Sequence, residues 1–181
     1  MRYTDIPVGE RAPELFNVIV EIPKGSANKY EYDPELNVFK LDRALYSPVY
    51  YPADYGFVPS TRAADGDPLD ALVLGDSATF PGCLIEARAL GMLLMVDQGA
   101  EDIKVLCVSA RDPRTETLLE YTDLEPHRLL EIEHFFNIYK DLEGKKTDTF
   151  GWRSAAEAKR VIMNSAANFA PPDRPTQNKL L

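Results

Sequence analysis

The sequence predicts a mainly β fold with helices, of the α+β class. Three observations predict it. Short β-branched or alternating runs, separated by Gly, Pro and Asn, carry the chain as far as residue 109. Beyond residue 122 the apolar spacing lengthens from two to three and four, the period of a helix. No internal repeat, low-complexity tract or linker interrupts the chain. A single domain over residues 1–181 is therefore expected, with a loosely ordered tail from about residue 172.

The elements follow in order. NVIVEI at 17–22 is β-branched and stops at Pro23; KGSAN turns, KYEYD alternates over 29–33, and NVFKLDR alternates again over 37–43. In KYEYD a period of two places Lys29 and Glu31 on one face and Tyr30 and Tyr32 on the other. Further strands are expected at 71–75 (ALVLG), at 83–96 (CLIEARALGMLLMV, bent near Gly91) and at 103–109 (IKVLCVS). Short strands with this punctuation favour a sandwich or a barrel.

Pro126 suits a first helical position, and Leu129, Ile132, Phe136 and Tyr139 form an apolar stripe as far as Gly144. A second helix starts at Ser154, with Glu157 completing a capping box. Ala158, Val161, Ile162, Ser165 and Phe169 are its buried stripe.

Composition removes several function classes. At 45% hydrophobic and 27% charged, the chain of 181 residues is globular and large enough to bury about 70% of its unfolded surface. A formal net charge of -9 argues against a nucleic-acid surface, which needs clustered Lys and Arg. The longest uncharged apolar run, Ala89 to Val96, is far short of a membrane span, and MRYTDIPVGE lacks a signal-peptide core, so a cytoplasmic protein with no membrane partner is expected. Cys83 and Cys107 sit among apolar neighbours and are expected to be buried and reduced. His127 and His134 lack an HExxH spacing.

Two acidic clusters carry the chemistry. AADGDPLDALVLGD crowds Asp65, Asp67 and Asp70 immediately before a strand, and MVDQGAEDIKV places Asp97, Glu101 and Asp102 around Gly99 between two strands. Taken alone, Asp, Gly and Pro make ordinary turns. Two such clusters at the ends of buried strands instead suggest one oxygen-lined pocket in which divalent cations offset carboxylate repulsion. An EF-hand is a poor match at Leu69 and Asp70, and no Cys/His cluster supports zinc. Mg²⁺ fits best, since it is satisfied by a few carboxylates, waters and phosphate oxygens. Lys29, Arg43, Lys104, Tyr139 and Lys140 are interleaved with these acids. Each alone is an ordinary surface residue, but together they offer the fixed positive charge that phosphoryl transfer requires. SPVYYPADYGFVPS, with Tyr50, Tyr51 and Tyr55, reads equally as part of this site or as core and loop packing.

DGDPLDALVL resembles the signature of the soluble family I inorganic pyrophosphatases. EIPKGSANKYEYD, LDRALYSPVYYPADYGFVPST, FPG, MVDQGAEDIKV and HFFNIYKDLEGK match that family in order, from about Asn17 to beyond Trp152. The resemblance implies a small closed five-stranded antiparallel barrel, OB-like, flanked by two or three α-helices, with the site at its mouth.

The same resemblance implies metal-dependent hydrolysis of pyrophosphate to two phosphates by a metal-activated water, with Asp67 accepting the proton. Direct attack by Asp67 on phosphorus is the competing scheme. Asp65, Asp70, Asp97 and Asp102 correspond to metal ligands, and Glu21 and Glu31 to additional acidic positions that meet metals directly or through water. Lys29, Arg43, Tyr55, Lys104, Tyr139 and Lys140 correspond to groups that hold the phosphates. Several Mg²⁺ ions per site are implied, with Mn²⁺ as a substitute, and a homohexamer is the implied assembly. Gln98 departs from many relatives, which carry a second acid there; catalysis is expected to survive. A noncatalytic cation- or nucleotide-binding barrel and a nucleoside polyphosphate hydrolase are the alternatives from other classes.

Overall fold

A computed structural model describes residues 2–169. The chain runs through β1 (Phe16–Ile22), β2 (Asn28–Asp33), β3 (Val38–Ala44), β4 (Asp54–Val58), β5 (Leu69–Leu74), β6 (Leu84–Asp97), β7 (Ala100–Glu101), β8 (Lys104–Ser109), α1 (Pro126–Ile138), β9 (Thr147–Ser154) and α2 (Ala155–Ala167). Five strands close a ring in the order β1-β4-β5-β8-β6 and back to β1, with only the second half of β6 open to further partners. β7 and β9 pair with β6, and β2 with β3 forms a separate two-stranded sheet. The ring pairings are antiparallel except β5–β8, because the chain reverses at β6 and again at β8 and so returns parallel to β5. The α+β class and the OB-like ring expected from the sequence are present.

Alternation along the strands sorts the core into two clusters. Leu72, Leu74, Leu106 and Val108 pack with Ile132, Phe135 and Phe136 of α1. Leu69, Ala71, Val73, Val105 and Cys107 pack with Ala158 and Ile162 of α2. Asp70 and Lys104 share the parity of the first set, and they are register partners across the parallel ladder. A carboxylate and an ammonium are thus fixed side by side on the α1 face, at the start of two buried strands.

Three strands escaped the sequence reading: β4, β9 and the two-residue β7, which lies within the turn expected around Gly99. β4 lies inside the tyrosine-rich segment and is buried at every position, so it shows no period of two. Its Gly56 has a packing reason: a Cβ there would lie 1.9 Å from the Ile19 carbonyl oxygen of β1. β9 covers TDTFGWRS, whose Phe150 faces solvent and whose composition offers no apolar face. It forms because β6 is long enough to take a partner along its second half.

Other boundaries moved. α1 stops at Ile138, Tyr139 is its C-cap, and a separate 3₁₀ turn over Asp141–Glu143 ends at Gly144 in the left-handed conformation. α2 stops at Ala167, so Phe169 lies beyond its stripe; the Ser154–Glu157 capping box is formed. The bend expected at Gly91 coincides with a register shift against β8. Both cysteines are free; Cys107 is buried, but Cys83 is only half-buried, because it sits before β6 begins. The tail expected to be loosely ordered lies outside the described residues.

Candidate active site

The site gathers at one end of the ring. A cleft of about 400 Å³ is lined by Glu21, Lys29, Glu31, Tyr55, Asp65, Asp67, Asp70, Asp97, Asp102, Lys104, Tyr139 and Lys140, twelve residues that the sequence singled out from regions more than a hundred positions apart. Each arrives for a local reason. Glu21 falls where the register of β1 against β4 shifts between Val20 and Ile22, a bulge that re-aims a side chain. Asp70 is a strand residue, since β5 begins at Leu69 and not at Ala71. Asp65 and Asp67 belong to the preceding turn, where the Asp65 carboxylate accepts the Asp67 backbone N–H at 3.0 Å. Asp97 ends β6, and the positive φ of Gln98 and Gly99 turns the chain into β7 and on to Asp102. Tyr139 and Lys140 occupy the turn that leaves α1.

Electrostatics define the cleft. Seven carboxylates (Glu21, Glu31, Asp65, Asp67, Asp70, Asp97 and Asp102) face three ammonium groups, those of Lys29, Lys104 and Lys140. Lys104, 2% exposed, donates to both Asp70 and Asp102. Lys140 donates to Asp97, and Lys29 to Glu31. Burial opposes the Lys104 charge, but Asp70 and Asp102 outweigh it and raise its pKa, so this ammonium is held. Burial pushes Glu21 up to about 8, even though its Oε1 accepts the Tyr32 N–H at 2.8 Å. Burial, with Asp65 and Asp70 nearby, raises Asp67 above the ordinary carboxylate range, and burial also raises Asp102 against the pull of Lys104. Tyr55 and Tyr139 are driven upward by burial and stay protonated, so their hydroxyls remain available as donors.

The donor set fits hard divalent cations. All the acidic groups are carboxylates, which suit Mg²⁺ better than softer metals. Asp97 Oδ1 is buried without a hydrogen-bond partner, as an oxygen reserved for a ligand would be. Among the described residues, no three acidic, imidazole or thiol groups already converge as a ligand cluster. The reason is local: lysine ammoniums occupy the spaces between the carboxylates, as Lys104 does between Asp70 and Asp102.

One singled-out residue stands apart. Arg43 does not line the cleft; its Nε donates to Glu143 Oε1 at 2.8 Å and its Nη1 to Asp42. It is the register partner of Lys29, which does line the cleft. Sequence reasoning missed Thr4, Tyr32, Pro34, Phe57 and Pro68 as wall residues. The alternation of KYEYD placed Tyr32 on the face opposite Lys29 and Glu31, so its sharing their wall runs against that reading, and Thr4 comes from an amino-terminal turn that carries no signal of its own. Glu101 is exposed and lies away from this wall, and His127 and His134 are exposed on α1. Gln98 is likewise exposed, outside the cleft.

Comparison with known proteins gives one result. Residues 18–170 match the family model described as inorganic pyrophosphatase. The chain is 50% identical over 157 residues to the inorganic pyrophosphatase of Halalkalibacterium halodurans, covering 87% of this chain and 96% of that one. It is also 50% identical over 169 residues to the inorganic pyrophosphatase of Synechocystis, covering 93% and 99%. The crystal structure of inorganic pyrophosphatase from Thermus thermophilus superposes with a TM-score of 0.91 at 43% identity, over 93% of this chain and 99% of that one. With ring, cleft and sequence in agreement over nearly the whole length, the chain belongs to the inorganic pyrophosphatase family.

Proposed function

We propose that the chain hydrolyses inorganic pyrophosphate to two phosphates in a Mg²⁺-dependent reaction, with Asp67 as the proton acceptor. The family supplies the activity. The observation that carries the metal dependence is the cleft's seven carboxylates against three lysines, an imbalance that would repel a polyanionic substrate unless divalent cations compensated it. Asp65, Asp70, Asp97 and Asp102 are the ligand carboxylates, with Glu21 and Glu31 completing the acidic wall. Bound Mg²⁺ lowers the pKa of water and shields the charge of the phosphates, and Mn²⁺ can supply the same chemistry.

The chain's own residues then divide the work. Asp67, on the exposed turn at the cleft's rim, takes the proton of the attacking water as its oxygen bonds to one phosphorus and the bridging P–O bond breaks. Lys29, Lys104 and Lys140 neutralise phosphate oxygens, and Arg43 supports them from beside Lys29. Tyr55 and Tyr139 donate hydroxyl protons to oxygens whose charge grows as the leaving phosphate departs. No covalent enzyme intermediate is required.

The assembly is proposed to be a homohexamer in the cytoplasm. Exposed Leu36, Val38, Leu41, Tyr46 and Tyr50 are apolar surface consistent with burial between copies. Among the described residues, no helix is long and apolar enough to cross a membrane.

The test is phosphate release from pyrophosphate and from ATP, each with Mg²⁺ and with excess chelator. Turnover of pyrophosphate with Mg²⁺ alone, and little of ATP, is the expected result. Equal turnover of ATP would favour a nucleoside polyphosphate hydrolase. No turnover of either would leave a binding protein and end the hydrolytic reading.

A further inference from the structure

The β2–β3 hairpin is not part of the ring, so something must fix its cationic residues relative to Tyr139 and Lys140. Two features bear on this. In the hairpin the register shifts between Lys29 and Tyr30: Lys29 pairs with Arg43 but Tyr30 pairs with Leu41, leaving Asp42 as the extra residue of a bulge. The bulge brings the Asp42 carboxylate against the Arg43 Nη1 and within 3.6 Å of the Lys29 Nζ.

The contact itself comes from the other end of the sequence. Glu143, whose side chain is only 6% exposed, accepts the Arg43 Nε at 2.8 Å and lies 3.4 Å from the Lys145 Nζ. It ends the same short 3₁₀ turn that follows Tyr139 and Lys140, and Gly144 at φ 68 closes that turn. Among the described residues, no acceptor takes the Arg43 Nη2, so that edge of the guanidinium remains able to bind an anion.

We infer that Glu143 is a positioning residue for substrate binding: it clamps Arg43 from the hairpin to the turn carrying Tyr139 and Lys140, so that the phosphate-holding groups of the hairpin and of the turn that leaves α1 act as one. This rests on the proposed function, in which Arg43 supports the phosphate-binding lysines from beside Lys29. A charged, nearly buried hydrogen bond holds a guanidinium far more firmly than exposed ion pairs do, and a planar fork fixed at Nε presents its other donors in one direction. The clamp acts on affinity for pyrophosphate rather than on proton transfer, because Glu143 is outside the cleft that contains Asp67.

The experiment is a double-mutant cycle of Glu143→Ala and Arg43→Ala on the full chain, with Glu143→Gln as the conservative variant. Glu143→Ala is expected to raise KM for pyrophosphate about tenfold with kcat changed less than about twofold, the loss of one charge-assisted hydrogen bond. Glu143→Gln keeps an acceptor oxygen for Nε and should recover most of that affinity. In the Arg43→Ala background, Glu143→Ala should add less than about twofold, since its target is gone. An undiminished effect in that background would show Glu143 acting through the turn itself and overturn the inference. A fall in KM would show a tether withdrawing Arg43 and would also overturn it. The cycle is read in parallel as the Kd for inorganic phosphate by calorimetry. A chain that binds phosphate without turning over pyrophosphate would defeat the hydrolytic proposal, while the coupling of Glu143 to Arg43 would still be judged from binding.

Discussion

Asp67 sits one position beyond a glycine, between two carboxylates that face the same cleft, and its side chain makes no ion pair among the described residues. Replacing it should therefore leave the fold alone. Asp67→Asn is predicted to keep its melting temperature within about 2 °C while turnover falls at least about 100-fold, the scale of a lost general base. Phosphate release with thermal unfolding checks both halves, and an unchanged rate would remove its assigned role. Lys104 differs in kind because it is almost fully buried between Asp70 and Asp102. Lys104→Ala leaves two carboxylates uncompensated and is predicted to cost about 3 kcal/mol of unfolding free energy in chelator. Denaturant titration should show a smaller loss in Mg²⁺, which can take over the compensation. The site was largely legible at this scale, since carboxylates, lysines and tyrosines keep their chemistry wherever the chain takes them. Glu143 was not. Nothing in YKDLEGK tells that its glutamate meets an arginine a hundred residues earlier.

Strands and helices obey the same division between local and distant causes. The Ser154–Glu157 box was readable because capping is a contact three residues long, and Ser154→Ala is predicted to cost about 1 kcal/mol in a denaturation experiment. β4 and β9 were unreadable because each owes its existence to a partner. β4 is enclosed on both faces and shows no alternation, and β9 exists because β1 leaves one edge of β6 after Ala87, so that edge is open to β9 from Gly91 to Asp97. Gly56 locates the tightest of these contacts. Gly56→Ala must push β1 and β4 apart, since the new carbon would meet the Ile19 carbonyl oxygen at 1.9 Å. It is predicted to destabilise by more than about 3 kcal/mol or to prevent soluble expression. Survival with unchanged stability would mean the two strands are less closely joined than the structure describes.

For the whole molecule, closure of the ring is what converts scattered acids into a cleft. β5, β6 and β8 carry Asp70, Asp97 and Lys104 at neighbouring ends, and β1 with the β2–β3 sheet adds Glu21, Lys29 and Glu31. Periodicity predicted strands and helices; the ring itself came from the resemblance, because closure depends on which strands pair and not on what each contains. The apolar residues left on the hairpin surface lead to a further prediction. Sedimentation is expected to give about six times the mass of one chain, and a monomer at micromolar concentration would contradict the proposed assembly. The central claim is that the cleft's carboxylates coexist because divalent cations belong among them. Calorimetric titration of Mg²⁺ into the substrate-free protein tests it most directly, with Asp70→Asn as the control. Saturable binding that weakens at least tenfold in the variant is predicted; absence of binding, or binding indifferent to Asp70, would contradict the account.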